Sequence, residues 1–494
     1  MKIPRVLLAA GASGSGKTTV TCALLMALKE MGLGVTSFKC GPDYIDPMFH
    51  AQVLGVRSRN LDTFFAREEV IRYLLQKNAG SSDIAVMEGV MGYYDGVAGI
   101  STKASAYDLA SVTDTPVILL VNTRGMSVSI AAFIKGFLEY KKDSRIRGVI
   151  FNQMSPMLYE RAKKLVEEEL PVKVLGYVPK LDFQLESRHL GLVLPEEIPA
   201  LMENLHKAAR IVRETLDIEG ILKLARQAPE MEEIGEEHLA EPDKAFLYYA
   251  DRPLRIGLAQ DEAFCFFYED NFRLLRQMGA ELVPFSLLHD VALPEDLDGL
   301  LLMGGYPELY AKELEENNAM RESLLRALKD GLPCIAECGG FMYLHEELQG
   351  MDGAFHKGVG LIPGRVFRTE KLQRFGYIEL TENIENCLFG YPRDYSWGHN
   401  RDSAQTSSGE TAQNSSEDSP RDESSKPPLT AHEFHYFDSE NCGEAFHAKK
   451  PLSKRGWNCI HSTPTLFAGF PHLYFYGNPS VAAAFLRRCC ETKK

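Results

Sequence analysis

"RVLLAAGASGSGKTTVTCALL" (residues 5–25) decides the fold of the first half of this chain. Within it "GASGSGKT" (11–18) fits the pattern G-x-x-x-x-G-K-[S/T] in full. An apolar run precedes the loop and an amphipathic stretch follows, as expected of a strand, a phosphate loop and a helix. Gly11, Gly14 and Gly16 keep the backbone free to wrap phosphate oxygens with its N–H groups. Lys17 reaches the terminal phosphates, the Thr18 hydroxyl suits Mg²⁺, and Thr19 continues the cradle on the first helical turn. ATP or a similar nucleotide is the expected ligand.

Outward from the loop, "GVTSFK" (34–39), "IAVMEG" (84–89), "PVILLVN" (116–122), "GVIFNQ" (148–153) and "VKVLGYVP" (172–179) read as short buried strands separated by helical stretches. That alternation predicts an α/β domain with a parallel sheet wrapped by helices. Two strand ends carry acids. "KCGPDYIDP" (39–47) offers Asp43 and Asp46, and "MEGVMGYYDG" (87–96) offers Glu88 and Asp95. Carboxylates at the C-terminal ends of parallel strands face the ligand crevice. Taken singly each also suits a turn; together, beside a phosphate loop, they suit Mg²⁺ and substrate. Lys39 lies among them and could neutralise an anionic group. Partitioning and cell-division ATPases carry an additional lysine five residues before the invariant one; that position is Ala12 here, which argues against a dimerising switch ATPase.

The chain has 494 residues, 45% hydrophobic and 25% charged, enough for two or three domains. A formal net charge of −14 disfavours nucleic-acid and anionic-membrane partners. No stretch approaches the roughly 20 apolar residues of a membrane helix. "VLLAA" is too short for a signal-peptide core and runs straight into the phosphate loop. The ten cysteines are scattered without paired CxxC sets, which predicts reduced thiols and a cytoplasmic location.

A second alternating unit starts at "LRIGLAQD" (254–261) and continues through "AELVPFS", "GLLLMGG" and "LPCIAECGGFMYL". The last of these reads as a buried strand, a tight turn at Cys338–Gly339–Gly340 and a helix. Hydrolases present a nucleophile on such an elbow. Glycines permit the strained turn, and a helix N-terminus favours a thiolate and offers N–H groups to an oxyanion. Upstream, "LLMGGYPELY" (301–310) ends a strand in Gly304–Gly305, well placed for a second oxyanion donor. A base is needed, and His432, His435, His461 and His472 all lie downstream. "HEFH" (432–435) is one residue short of H-E-x-x-H and looks like a strand. His472, in the aromatic stretch "FPHLYFYGNP", cannot be told by spacing from a core histidine.

Two segments interrupt the pattern. Residues 216–252 turn charged and read as a linker between a 1–215 phosphate-loop domain and a 253–494 thiol domain. Residues 398–430, rich in Ser, Glu, Asp and Pro, cannot bury enough apolar surface and predict a disordered insertion.

The ordered set of the phosphate loop, "KCGPDYIDP", "MEGVMGYYDG", "SRHLGLV" (187–193), "MGGYPELYA", "ECGGFMYL", "HEFHY" and "FPHLYFYGNP" resembles the cobyrinate a,c-diamide synthase family, the glutamine-dependent amidoligases of corrinoid biosynthesis. The resemblance covers nearly the whole chain apart from the insertion. It implies a dethiobiotin synthetase-like ATP-dependent domain and a class I glutaminase domain, with Cys338 as nucleophile, His472 as its base, and Gly304, Gly305 and Gly339 at the oxyanion and glutamine site. It puts Thr18, Asp46 and Glu88 at the magnesium and phosphate positions, and Asn152 at the adenine. It sets Asp43, Tyr44 and Asp95 in motifs associated with corrinoid handling; Lys39 could neutralise an anionic substrate or phosphate, and the cationic Arg188 and His189 could bind the carboxylates of a corrinoid acid. Many class I glutaminases carry a glutamate two residues after the histidine; Tyr474 stands there, which fits a Cys–His dyad. Nickel-sirohydrochlorin and hydrogenobyrinate are substrates of related enzymes, so the tetrapyrrole stays open. So does a regulatory nucleotide-binding protein with an inactive glutaminase half. Oligomeric state is not legible.

Overall fold

The computed structural model describes residues 1–183, 198–235, 252–383, 388 and 428–492. The first half is built on seven strands: β1 (Arg5–Ala10), β2 (Val35–Cys40), β3 (Arg57–Leu61), β4 (Ile84–Glu88), β5 (Val117–Asn122), β6 (Ile146–Asn152) and β7 (Lys173–Val178). Their order across the sheet is β3-β2-β4-β1-β5-β6-β7, with every pairing parallel. β1 and β4 are buried throughout because helices cover both faces, so apart from Arg5 at the start of β1 and Glu88 at the end of β4 the side chains on both faces are apolar. β1 sits at the centre with β4 on one side and β5 on the other. Such a reversal opens a crevice at the C-terminal strand ends, and the phosphate loop lies there.

β3 has no counterpart among the expected strands. Its sequence "RSRNL" lacks an apolar run because it closes one edge of the sheet. The boundary after the first domain also differs from expectation. The helix Ile218–Arg226 falls inside the stretch read as a linker, yet it buries Ile218, Ile221, Leu222 and Ala225 in the core of the first sheet. Met231 exchanges backbone hydrogen bonds with Met1, and Pro229 O accepts from Arg5. The helix is amphipathic, with Glu219, Lys223 and Arg226 among its residues, and the strongly charged run that suggested a linker begins after it, at 228.

The second half holds a sheet of six strands. β9 (Ala280–Phe285), β8 (Leu254–Ala259), β10 (Gly299–Leu302), β11 (Cys334–Glu337) and Leu466–Gly469 run parallel in that order, and His461–Thr463 pairs antiparallel at the edge. A five-stranded antiparallel sheet joins Gly456–Cys459, Phe446–Lys449, Arg374–Glu382, Leu429–His435 and His472–Leu473. Arg374–Glu382 and Leu429–His435 are direct neighbours, with Leu380 opposite Leu429. The long insertion therefore leaves and returns at adjacent strand ends. Most of the expected 398–430 segment lies outside the described residues, whereas Leu429 and Thr430 are already in strand.

The halves share one apolar cluster. It runs from Phe38, Tyr44 and Phe65 in the first to Tyr268, Leu473 and Tyr474 in the second. Polar contacts reinforce it: Tyr377 Oη donates to Asp62 Oδ2 at 2.9 Å, and Arg273 donates to Asn78 Oδ1 at 2.6 Å.

Candidate active site

The phosphate loop is shaped by its glycines. Gly14 and Gly16 have φ of 73° and 87°, left-handed values that favour glycine, and a Cβ on Gly11 would meet the Phe133 ring at 2.5 Å. The helix Lys17–Glu30 starts directly after the loop, with Thr18 and Thr19 half-buried on its first turn. Lys17 Nζ donates to the carbonyls of Ala12 at 3.1 Å and Met91 at 2.5 Å, spanning the cradle. Burial and the charge of Lys39 pull Lys17 down to about 8, against the upward pull of Glu88, Asp95 and Asp46.

The expected acids do converge. Thr18 Oγ1 donates to Glu88 Oε1 at 2.7 Å and lies 3.5 Å from Asp46 Oδ2. Lys39 Nζ sits between them, bonded to Asp46, 2.8 Å from Glu88 and 3.8 Å from Asp43. Burial opposes every charge in this cluster. It raises Glu88, and it would raise Asp46 too, but the Lys39 ammonium wins there and holds Asp46 below the usual carboxylate range. Glu88 Oε2 is buried without a hydrogen-bond partner. An all-oxygen set of Thr18, Asp46 and Glu88 with one spare acceptor fits magnesium, whose remaining ligands are phosphate and water. Among the described residues no three His, Cys, Asp or Glu side chains gather as a self-sufficient metal cage.

Asp95 turns back to accept from Gly92 N at 3.0 Å, on the loop that supplies Met91 to Lys17. Asn152 donates to Ser15 O at 2.8 Å and accepts from Gln153 N at 3.0 Å. It braces the phosphate loop. Arg188 and His189 lie outside the described residues.

The thiol site stands on β11. Cys338 has φ 47° and ψ −102°, a strained conformation for a residue with a side chain, and it joins β11 to the helix Gly339–Tyr343. This is the elbow expected from sequence. The helix is a single short turn. The elbow is clamped: Cys338 N donates to Gly469 O at 2.8 Å and Gly340 N to Met303 O at 3.0 Å. A Cβ on Gly339 would lie 2.9 Å from Gly305 N, and one on Gly304 would lie 2.6 Å from Cε1 of His472. The glycine pair after β10, the elbow and His472 thus crowd one point.

His472 is 2% exposed. Burial works to lower its pKa, but the neighbouring Cys338, by charge and hydrogen bond, and Glu337 outweigh burial and hold it up to about 10. The other three histidines have other partners. His435 Nδ1 donates to Phe437 O at 2.6 Å and its ring stacks on Phe470, and His461 Nε2 donates to Asn441 O at 3.0 Å. His432 sits directly opposite His472 in the strand pair, the rings 5.0 Å apart and stacked. "HEFH" is indeed strand, and sequence spacing gave no hint that His432 would face His472.

One loop reaches both sites. Asp43 and Asp46 face Lys39 and Thr18, while Tyr44 between them points the other way into the second half. Its ring lies 5.5 Å from Phe266, 4.5 Å from Tyr268 and 5.1 Å from His472.

Comparison with known proteins agrees with this two-part layout. Residues 6–192 match the CobQ/CobB/MinD/ParA nucleotide binding domain, and residues 255–478 match the CobB/CobQ-like glutamine amidotransferase domain. A cobyrinate a,c-diamide synthase of Thermoplasma volcanium is 42% identical over 390 residues, covering 78% of this chain and 83% of that protein. The chain belongs to the cobyrinate a,c-diamide synthase family. Its namesakes in Caldanaerobacter subterraneus and Priestia megaterium are 35% and 34% identical, and each match covers at least 98% of both chains. Membership makes the chain a glutamine-hydrolysing carbon–nitrogen ligase with a nucleotide-binding half and an amidotransferase half. Among the described residues no helix is long and apolar enough to cross a membrane, and all described cysteines are free thiols.

Proposed function

We propose that this enzyme uses ATP and L-glutamine to amidate the a and c acetate carboxylates of cobyrinate, in the cytoplasm. Cys338 attacks the side-chain amide carbon of glutamine. The carbon–nitrogen bond breaks, His472 delivers the proton to the departing nitrogen, and ammonia leaves behind a thioester. Water then attacks the thioester and releases glutamate. The N–H groups around Gly305 and Gly339 are the donors proposed for the oxyanion.

In the other half the γ-phosphoryl group of ATP passes to the substrate carboxylate. A free carboxylate does not react with ammonia, but its acyl phosphate does, and phosphate is displaced. The phosphate loop and Lys17 orient the triphosphate and offset charge on the transferring group. Magnesium, held by Thr18, Asp46 and Glu88, would supply further charge compensation there. Lys39, Asp43, Tyr44, Asp95, Arg188 and His189 are assigned to the substrate, and Asn152 to the adenine. Acyl phosphates hydrolyse, so water must be kept from the junction.

The observation that carries this reading is the segment Gly41–Asp46, a turn that runs into the helix Ile45–Gln52. It contributes carboxylates to the phosphate-loop cluster and Tyr44 to the wall beside His472. This shared segment supports a reading in which ammonia freed at the thiol is used at the nucleotide site.

Turnover with cobyrinate, nickel-sirohydrochlorin and hydrogenobyrinate side by side, each with ATP and glutamine, tests the substrate. Diamide formation fastest with cobyrinate is expected. Preference for another tetrapyrrole would replace the substrate and keep the chemistry. No glutamine-dependent turnover with any of them would overturn the reading.

A further inference from the structure

We propose that Glu337 is a positioning residue of the thiol site, gripping the His472 ring through Nδ1 so that Nε2 is left facing Cys338. The inference rests on the assignment of Cys338 and His472 as nucleophile and base.

Glu337 is the last residue of β11 and is fully buried. A carboxylate in such a place needs partners. Its Oε1 has one: it accepts from Leu473 N at 3.1 Å, on the strand that carries the histidine. Its Oε2 has no hydrogen-bond partner, and neither has Nδ1 of His472. These two atoms lie 3.4 Å from one another. Two buried polar atoms, each without another partner, therefore face each other at slightly more than bonding distance. A small rotation of the ring closes the gap, and such bonds are often long before substrate binds.

The strand register explains how a residue adjacent to the nucleophile can do this. Glu337 pairs with Gly469, three residues before His472. The positive φ at Cys338 then turns the thiol away onto the elbow. Carboxylate and thiol thus approach the ring from consecutive residues. Position 474 offers no alternative, because the Tyr474 ring packs against Phe65 at 5.7 Å and Tyr268 at 5.1 Å.

The other titratable groups near the ring do not perform this task. His432 stacks on it and is held neutral by burial, and Tyr44 approaches at 5.1 Å as an aromatic wall. Glu433 and His435 influence it from the neighbouring strand without contact, and Lys450 acts on His432 rather than on His472.

A carboxylate at Nδ1 fixes which ring nitrogen is free and steadies the imidazolium as the proton moves. Glu337→Gln separates this from a packing role. Gln Oε1 can still accept from Leu473 N, but its amide N–H would donate to Nδ1 and put the ring proton on Nε2, where it blocks the thiol. In the full-length enzyme E337Q should lower the glutaminase kcat on the order of 100-fold. It should move the alkaline limb of that activity, expected near pH 10 from His472, to lower pH. Ammonium-driven synthesis should stay close to wild type. Glu337→Asp, which keeps the charge, should retain more rate and a limb nearer to wild type.

A wild-type rate and an unmoved limb in E337Q would overturn the inference. So would equal losses in E337Q and E337D with neither limb moved. If E337Q does not fold, histidine NMR of the wild-type enzyme decides. A strongly downfield Nδ1 proton that disappears in His472→Ala is expected, and its absence from the wild type would overturn the inference. A Cys338→Ala enzyme that still hydrolyses glutamine would instead sink the underlying assignment.

Discussion

The phosphate-loop site and the thiol site are assembled in different ways. The first draws Lys17 and Thr18, Lys39 to Asp46, and Glu88 to Asp95 from the ends of adjacent parallel strands β1, β2 and β4. The second takes Cys338 and Glu337 from β11 and Gly304–Gly305 from just after β10. His472 arrives from a two-residue edge strand of a different, antiparallel sheet. A site made at successive strand ends is set by local sequence. A site made across two sheets depends on long-range register, here secured by Cys338 N to Gly469 O and Glu337 to Leu473 N.

The comparison can be broken most severely at the phosphate loop. Lys17→Ala should reduce amide formation on the order of 10³-fold with either glutamine or ammonium as nitrogen source. Glutamine hydrolysis assayed alone should persist, because the thiol site borrows no charge from Lys17. A parallel collapse of glutaminase activity would show that the sites are not separable.

Tyr44→Ala probes the seam between them. Removing a buried aromatic side chain should cost about 3 kcal/mol of stability in a denaturant melt. It should also raise the glutamine consumed per amide formed above one, because the wall beside His472 is breached. An unchanged ratio would mean that Tyr44 only packs.

pH sharpens the contrast further. The pKa of His472 lies above its ordinary value, so its charge stabilises the fold fully below about pH 6.5 and that contribution is lost as pH rises through about 10. Glutamine hydrolysis should fall over the same alkaline range as the proton donor disappears. Lys17, pulled down to about 8, should make nucleotide affinity in the free enzyme weaken from a lower pH. Titrations of the two activities should therefore not superimpose.

The smallest effect is expected from replacing residues 398–427 with a short Gly/Ser link. Its flanking strands are already paired, Leu380 with Leu429, so closing a shorter loop should change stability by no more than about 1 kcal/mol. A large drop in melting temperature would give the insertion a structural role.

Much of the first site was legible because its chemistry travels with its motifs. A glycine-rich loop between strand and helix has few other uses, and acids at strand ends have a known crevice to face. The Cys338 elbow was legible for the same reason. His472 was not separable from a core histidine by spacing, because strand pairing alone brings it to the elbow. Glu337 escaped notice although the signal was present: a charged residue inside the buried run "PCIAECGG" requires a partner. β3 was missed because an edge strand need not be apolar. The helix Ile218–Arg226 was hidden by the charged run that follows it from 228 onward.

The most direct test compares nitrogen sources in Cys338→Ala. Amide formation should be lost with glutamine and remain near wild type with ammonium chloride, showing a nucleotide half that works on ammonia however it is made. Equal loss with both nitrogen sources in a folded variant, or undiminished use of glutamine, would contradict the division of labour between the two halves.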